Sequence, residues 1–360
     1  MKKIKYFIII LILLSANSFL FCQSSTEILL KNYKPVSIYK IPESTISKAS
    51  FPVIDMHSHD YAETQADIDK WIKNMDAMGI EKTILLTYQT GKGFDSVVEK
   101  YNRYPSRFEL WCGFDYTGYG TDGWEKNAVK ELERCFKKGA RGVGELGDKG
   151  EGEVYSQPTT GKGLHIDNLQ LQPLFKKCAE LKMPVNIHVA EDRWMYEKPD
   201  STNDGLMNAA QWHVDINKPG KLSHDELIAS LENAVKQNPK TIFIACHFAN
   251  CCSDLQQLGK LLDKYPNLYA DIAARYAEIA PVPKYAAAFI TKYQNRLLYG
   301  TDMGLEENIY KVTFRVLETA DEHFYGIDLF NYHWPLYGLH LPKQVLKKLY
   351  KTNATKILRR

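Results

Sequence analysis

The chain has 360 residues, and 46 Lys and Arg against 43 Asp and Glu give a formal net charge of +3. Its 44% hydrophobic and 25% charged residues are an ordinary globular balance. Lys2, Lys3 and Lys5 account for the whole positive excess, so the rest of the chain is near neutral, and nothing in it calls for nucleic acid or an anionic membrane as partner.

Those three lysines open a segment with an apolar core from Phe7 to Leu14 and small residues, Ala16 and Ser18, at the cleavage positions. This reads as a secretory signal peptide ending near residue 22, and it implies an exported protein, periplasmic or secreted. The apolar run is shorter than the ~20 residues that cross a bilayer, so no transmembrane span is expected in the mature chain. Cys22 offers a lipid anchor as an alternative, but Phe21 stands where a lipoprotein signal prefers a small residue. Residues 23–50 form an irregular lead-in, and 51–360 form the main domain.

From Pro52 onward, strands alternate with helices. Strands are expected at 52–57, 83–87, 108–114, 141–145, 184–189, 241–247, 268–273 and 296–301. Helices are expected near 68–78, 94–104, 123–138, 173–182, 227–237, 253–265, 284–293, 310–320 and 343–358. Ser223 or Asp225 caps the helix through Leu227, Leu231 and Val235, and Asn238-Pro239 stops it. On the last helix Val345, Leu346, Leu349 and Tyr350 face inward, and the surrounding lysines form a solvated face. Eight apolar strands separated by helices indicate a parallel sheet, and the count fits a TIM-like (β/α)8 barrel. An open doubly wound sheet would carry a Gly-rich phosphate loop after its first strand, where this chain has His57-Ser58-His59-Asp60.

Polar groups recur near the C-terminal ends of these strands, where such barrels place active sites. The first strand ends in His57 and His59, which share a face because side chains two apart in a strand point the same way. Glu145, His188, His247 and Asp302 end later strands. His57, His59, His188 and Asp302 are suitable ligands for a divalent metal, zinc first, and Glu145 and His247 supply a second ion or an outer shell. A bound metal lowers the pKa of its water toward ~7. Asp302 then acts as general base and His247 polarises the substrate or stabilises the developing oxyanion. The alternative for Glu145 is a salt bridge to Arg141 or Arg275. Arg275 is a candidate clamp for a substrate carboxylate, or else a partner of Asp271 or another local acid. Glu191 and Trp194 are further substrate-contact candidates, the latter in the long aromatic loop 190–222. A second aromatic stretch runs from Phe324 to Tyr337. His165 and His213 lie in loops, and His224 reads as a surface residue. The seven cysteines show no disulfide-scaffold or zinc-ribbon spacing and are expected as buried free thiols.

The set Asp55-Met56-His57-Ser58-His59, Asn186-Ile187-His188, Cys246-His247 and Gly300-Thr301-Asp302, with the ending Thr352 to Leu358, resembles the amidohydrolase superfamily and its amidohydrolase-related branch. The resemblance spans residues 52–358. It implies a distorted barrel with one or two divalent metals held by His57, His59, His188 and Asp302. His247 then matches a histidine that binds a second metal in some branches and is catalytic in others. Many relatives carry a carboxylated lysine where this chain has Glu145, with Lys149 beyond it. The implied function is hydrolysis of an ester, lactone or amide of a small molecule. Alternatives are non-oxidative decarboxylation of an aromatic or unsaturated acid at the same metal site, and a metal-binding barrel without catalysis. A homo-oligomer is compatible with the sequence.

Overall fold

The computed structural model describes residues 27–150, 156–326 and 332–359. The expected signal peptide, with Cys22, and Phe330 of the second aromatic stretch lie outside the described residues. In chain order the elements are β1 (Val53–Ser58), α1 (Gln65–Met78), β2 (Ile80–Leu86), α2 (Gly91–Tyr101), β3 (Phe108–Trp111), α3 (Trp124–Lys138) and β4 (Val143–Leu146). Next come α4 (Gln172–Glu180), β5 (Val185–Ile187), α5 (Leu206–Trp212), α6 (His224–Gln237), β6 (Phe243–Ala245), α7 (Leu255–Lys264) and β7 (Leu268–Asp271). The chain ends with α8 (Tyr276–Ile279), α9 (Pro283–Lys292), β8 (Leu297–Leu298), α10 (Glu307–Glu318), α11 (Lys343–Lys347) and α12 (Asn353–Leu358).

The strands are parallel, and each lies beside its neighbour in sequence, β1 to β3 in one sheet and β4 to β8 in the other. A parallel bridge between Cys112 and Val143 joins the sheets at one edge. At the other edge, single backbone hydrogen bonds run from Met56 N to Tyr299 O at 2.9 Å and from Asp302 N to His57 O at 2.7 Å. This is the expected (β/α)8 order, without the reversal that a doubly wound sheet requires.

The strands are apolar on both faces because both faces are buried. Ile54, Met56, Ile84, Leu86, Trp111, Ile244, Tyr269 and Leu298 form an inner cluster with Ala354 and Ile357 of α12. Val53, Leu85, Val185, Ile187, Phe243 and Leu297 pack outward in the larger core with the helices. Helix starts follow their capping signals. Thr64 and Ser223 each make a capping box, with Asp67 and Glu226 respectively. Ser223, and not Asp225, therefore caps α6, while Asp225 pairs with Arg193.

Several strands stop earlier than expected. β6 leaves its ladder at Ala245, and the next turn holds His247, Phe248, Ala249 and Asn250 at φ of 57°, 55°, 55° and 55°. β8 ends at Leu298, and Asp302 beyond it has φ 64°. Left-handed backbone disfavours non-glycine residues, and it collects here at the strand ends. The closing helix is also interrupted, since a wider π turn over Lys348–Thr352 separates α11 from α12. Its inward face is as read, with Val345, Leu346, Leu349 and Tyr350 buried. The loop after β5 holds structure of its own, a short 3-10 turn at Arg193–Met195 followed by α5. No helix among the described residues is long and apolar enough to cross a membrane. The six described cysteines are buried free thiols.

Candidate metal centre

Two site residues reach the barrel interior by breaking the strand alternation. Ile54 and Met56 point inward, so strict alternation would turn His57 out. The pairing of β1 with β2 shifts register between Asp55 and Ser58, and His57 faces in. β4 does the same between Val143 and Leu146, which brings Glu145 inward. His188 follows β5 in phase with Asn186, and Asp302 follows β8 in phase with Leu298 and Gly300. The approach near Glu145 is tight, because a Cβ on Gly144 would lie 2.8 Å from the Asn186 side chain. Gly300 is closer to the chemistry, since a Cβ there would lie 2.8 Å from the His57 Cβ. Gly300→Ala is expected to displace His57 and lower activity by ~10²-fold, the scale of an ångström's misplacement. Steady-state kinetics with a parallel thermal melt checks this, since the loss should exceed any drop in folded protein.

Glu145 is the centre of the arrangement. Its Oε1 lies 3.3 Å from His188 Nδ1, 3.5 Å from His247 Nε2 and 3.8 Å from His57 Nε2. Its Oε2 lies 3.6 Å from His59 Nε2. Asp302 Oδ1 stands 3.0 Å from His59 Nε2 and 3.5 Å from His57 Nε2. Three imidazoles have their other nitrogen occupied. His57 Nδ1 meets Asp271 at 3.0 Å, His59 Nδ1 meets the Leu86 carbonyl at 2.8 Å, and His247 Nδ1 meets the Ala273 carbonyl at 2.8 Å. Each bond sets the tautomer that leaves the Nε2 lone pair facing Glu145. Buried His57 Nε2 and Glu145 Oε1 have no hydrogen-bond partner in the protein. Buried polar atoms are normally satisfied. Convergent imidazoles and carboxylates with orphaned lone pairs therefore fit a divalent cation. The donors fall into overlapping groups, His57–His59–Glu145, Glu145–His188–His247 and His57–His247–Asp302.

The electrostatics agree. Burial opposes a charge on Glu145, yet His188, His247 and His57 hold its carboxyl well below the usual range. Burial likewise opposes a charge on Asp302, but the His59 hydrogen bond and the charge of His57 hold it down at about 2. Burial disfavours a charged His57, while Asp271, Glu145 and Asp302 push it up to about 10, so the carboxylates draw a positive charge to this ring, and a metal ion at Nε2 would take the place of the proton. Burial, helped by Arg275, keeps His247 neutral. Ionised carboxylates in an enclosed site favour a bound cation.

The remaining candidates sit around this cage. Glu191 stands behind His188, with Oε2 3.3 Å from His188 Nε2 and Oε1 2.6 Å from Lys149 Nζ. Lys149 thus pairs outside the histidine cluster. Arg275 is buried; its Nε bonds Asn250 Oδ1 at 2.9 Å, and its nearest acids are Asp192 at 3.2 Å and Glu278 at 3.7 Å. Asp271, read as an Arg275 partner, instead holds His57. Neither expected alternative for Glu145 occurs, because Arg141 donates to the Phe136 and Ala140 carbonyls. Trp194 lies in the loop after β5, its ring 5.7 Å from that of Trp334. His224, read as a surface residue, is buried and bonded to the Asn250 carbonyl at 2.8 Å. The long turn after β6 carries Asn250 to it.

Sequence reasoning missed three groups. Asp271 also accepts from Asn186 Nδ2 at 3.2 Å and from His247 N at 2.9 Å. Its place at the end of β7 was the available signal. Tyr88 stacks on His59, with its hydroxyl 3.0 Å from His59 Nε2, and donates to Glu145 Oε2 at 3.3 Å. Asp55 accepts from Thr301 Oγ1 at 2.6 Å, tying β1 to the turn that carries Asp302.

The family model described as Amidohydrolase matches residues 118–360, about two thirds of the chain. The chain belongs to the amidohydrolase family. This amidohydrolase is similar in fold to a putative amidohydrolase from Staphylococcus aureus, at TM-score 0.55 and 16% identity over 86% of this chain and 100% of the other. It is also similar to 5-carboxyvanillate decarboxylase from Sphingomonas paucimobilis, at 0.51 and 12% over 86% and 99%. A third is an uncharacterized TIM-barrel protein from Bordetella bronchiseptica, at 0.50 and 13% over 86% and 99%. Identities this low establish the barrel fold and no more. No curated protein matches significantly. Membership makes the chain an enzyme of the amidohydrolase type acting on a small molecule, and the donor set above fits a divalent metal. His57 and His59 precede the matched span, so their place in the amidohydrolase cage rests on the geometry above.

Proposed function

We propose that this amidohydrolase hydrolyses an ester, lactone or amide bond of a small molecule with the help of divalent metal, zinc first. The carrying observation is the cage in which Glu145 lies between His57, His59, His188 and His247, with Asp302 beside it. His57, His59, Asp302 and Glu145 would hold one ion, and Glu145, His188 and His247 a second. Such an ion supplies Lewis acidity and makes water a nucleophile near neutral pH. The protein's own groups do the rest. The Asp302 side chain is 25% exposed and Glu145 only 2%, so Asp302 is the carboxylate that reactants reach. It takes the proton of the attacking water and returns it to the leaving alcohol or amine. Asp271 holds His57 in the required tautomer. Neutral His247, its Nδ1–H spent on the Ala273 carbonyl, presents the Nε2 lone pair to the site as a ligand.

The decarboxylase reading needs a cation free to clamp a carboxylate. Arg275, the candidate that the sequence offers, is already engaged by Asn250, Asp192 and Glu278, which favours hydrolysis. A non-catalytic barrel has no need of an accessible ionised Asp302. Metal-reconstituted protein assayed against esters, lactones, amides and aromatic acids tests the three readings. Hydrolysis is expected. Release of carbon dioxide, or no turnover of any class, would overturn it.

We also propose that residues 1 to about 22 direct export, on the strength of the Lys-rich start and short apolar core. N-terminal sequencing of protein from its host is expected to begin after residue 18–22, and recovery of Met1 would contradict this.

A further inference from the structure

A second cleft, of about 760 Å³, opens between the loop after β5, α8 and the segment around Trp334, and none of the six cage residues lines it. Its volume lies in the range of small-molecule sites. The walls are aromatic, with the Trp194 and Trp334 rings 5.7 Å apart and inclined at 57°, and Tyr285 nearby. Trp334 spends its indole N–H on the Ala277 carbonyl at 2.9 Å. Three buried polar atoms of the lining have no protein partner: Trp194 Nε1, Glu278 Oε2 and His333 Nδ1. Glu278 is 7% exposed, and only its Oε1 is used, by the Tyr332 hydroxyl at 2.6 Å. Unsatisfied donors and acceptors on aromatic walls describe a ligand that is apolar on its faces and hydrogen-bonding at its edges.

We propose that this cleft binds a neutral, hydroxyl-rich group, a sugar residue, stacked on Trp194 and Trp334 with its hydroxyls bonded to Glu278, Trp194 and His333. The lining carries both signs, Arg193 and Lys198 against Glu197 and Asp204, and the surroundings of Glu278 favour a sugar over an organic cation, the other ligand that aromatic walls attract. Arg275 lies 3.7 Å from Glu278, and its guanidinium would repel a second cation placed beside that carboxyl. Burial, then the charge of Asp192, pushes Glu278 up to about 8 against the pull of Arg275. A carboxyl near neutrality both donates and accepts, which matches a hydroxyl. The indole N–H needs an acceptor, which a hydroxyl also provides and an alkylammonium does not.

Saturation-transfer NMR and titration calorimetry on the full mature protein test this. The probes are maltose, cellobiose, N,N′-diacetylchitobiose and methyl glucoside, with tetramethylammonium as the cationic arm. At least one sugar is expected to bind at millimolar concentration. Trp194→Ala and Glu278→Gln are each expected to weaken it roughly tenfold, the factor that corresponds to ~1.4 kcal/mol. Trp194→Phe keeps an aromatic face while removing the indole N–H and part of the stacking area, so it reports on the cleft even where Glu278→Gln lowers stability. It is expected to bind the sugar several-fold more weakly than wild type. No transfer to any sugar, binding of tetramethylammonium alone, or sugar binding unchanged in Trp194→Ala and Trp194→Phe would overturn the proposal.

Discussion

Asp302→Asn lowers kcat by ~10²–10⁴-fold, the usual contribution of a general base, while the protein still folds. Asparagine keeps the shape and one oxygen but cannot accept the proton. The native carboxyl is held down at about 2, so it is ionised and ready throughout the neutral range. Its backbone adds to the case. Asp302 sits at φ 64°, fixed by its N–H bond to the His57 carbonyl at 2.7 Å and by the Tyr61 hydroxyl, which donates to the Asp302 carbonyl. Asparagine tolerates that left-handed conformation better than most residues. The fold is therefore expected to survive, with a melting temperature close to wild type. Metal content is expected to fall less than turnover, because His57, His59 and Glu145 are unchanged. Steady-state kinetics beside elemental analysis checks both parts. Full activity in Asp302→Asn would remove it as the base.

Glu145→Gln has the largest expected effect on metal. Glu145 faces four imidazoles and is nearly inaccessible, and one of its oxygens has no protein partner. The amide takes away the charge that draws in the cation, and one orientation turns an N–H toward the imidazoles. The loss of affinity is expected to exceed the ~10–100-fold that removal of an outer hydrogen-bond partner costs. The comparison with His247→Asn reads the ion count. Wild type is expected to bind two ions and each variant one. One ion in wild type, retained by both variants, would leave Glu145 and His247 outside the metal shell.

The barrel was legible because its signal is repeated. Each buried strand is a short apolar run, and Pro184, Asn238-Pro239 and Pro266 mark where helices stop and the next strand begins. His188 and Asp302 were also readable, since each continues the alternation of its own strand. His57 and Glu145 face inward for a reason that a period-two reading does not contain, the register shifts in β1 and β4. His247 depends on a left-handed turn that no glycine announces. Asp271 and Tyr88 were missed because their roles arise across the barrel. The bond from Asp271 to His57 joins residues 214 positions apart, and nothing local encodes it. Arg275 does lie beside a local acid, Glu278 at 3.7 Å, but its closer partner Asp192 comes from the loop after β5, which nothing local encodes.

The central claim is that the cage drives metal-dependent hydrolysis. Its most direct test is the rate of hydrolysis of the best ester, lactone or amide found, measured on one zinc-reconstituted sample before chelation, after chelator dialysis, and after zinc is returned. The account predicts that turnover disappears with the metal and comes back with it. Hydrolysis that continues undiminished in protein shown by elemental analysis to be metal-free would contradict it.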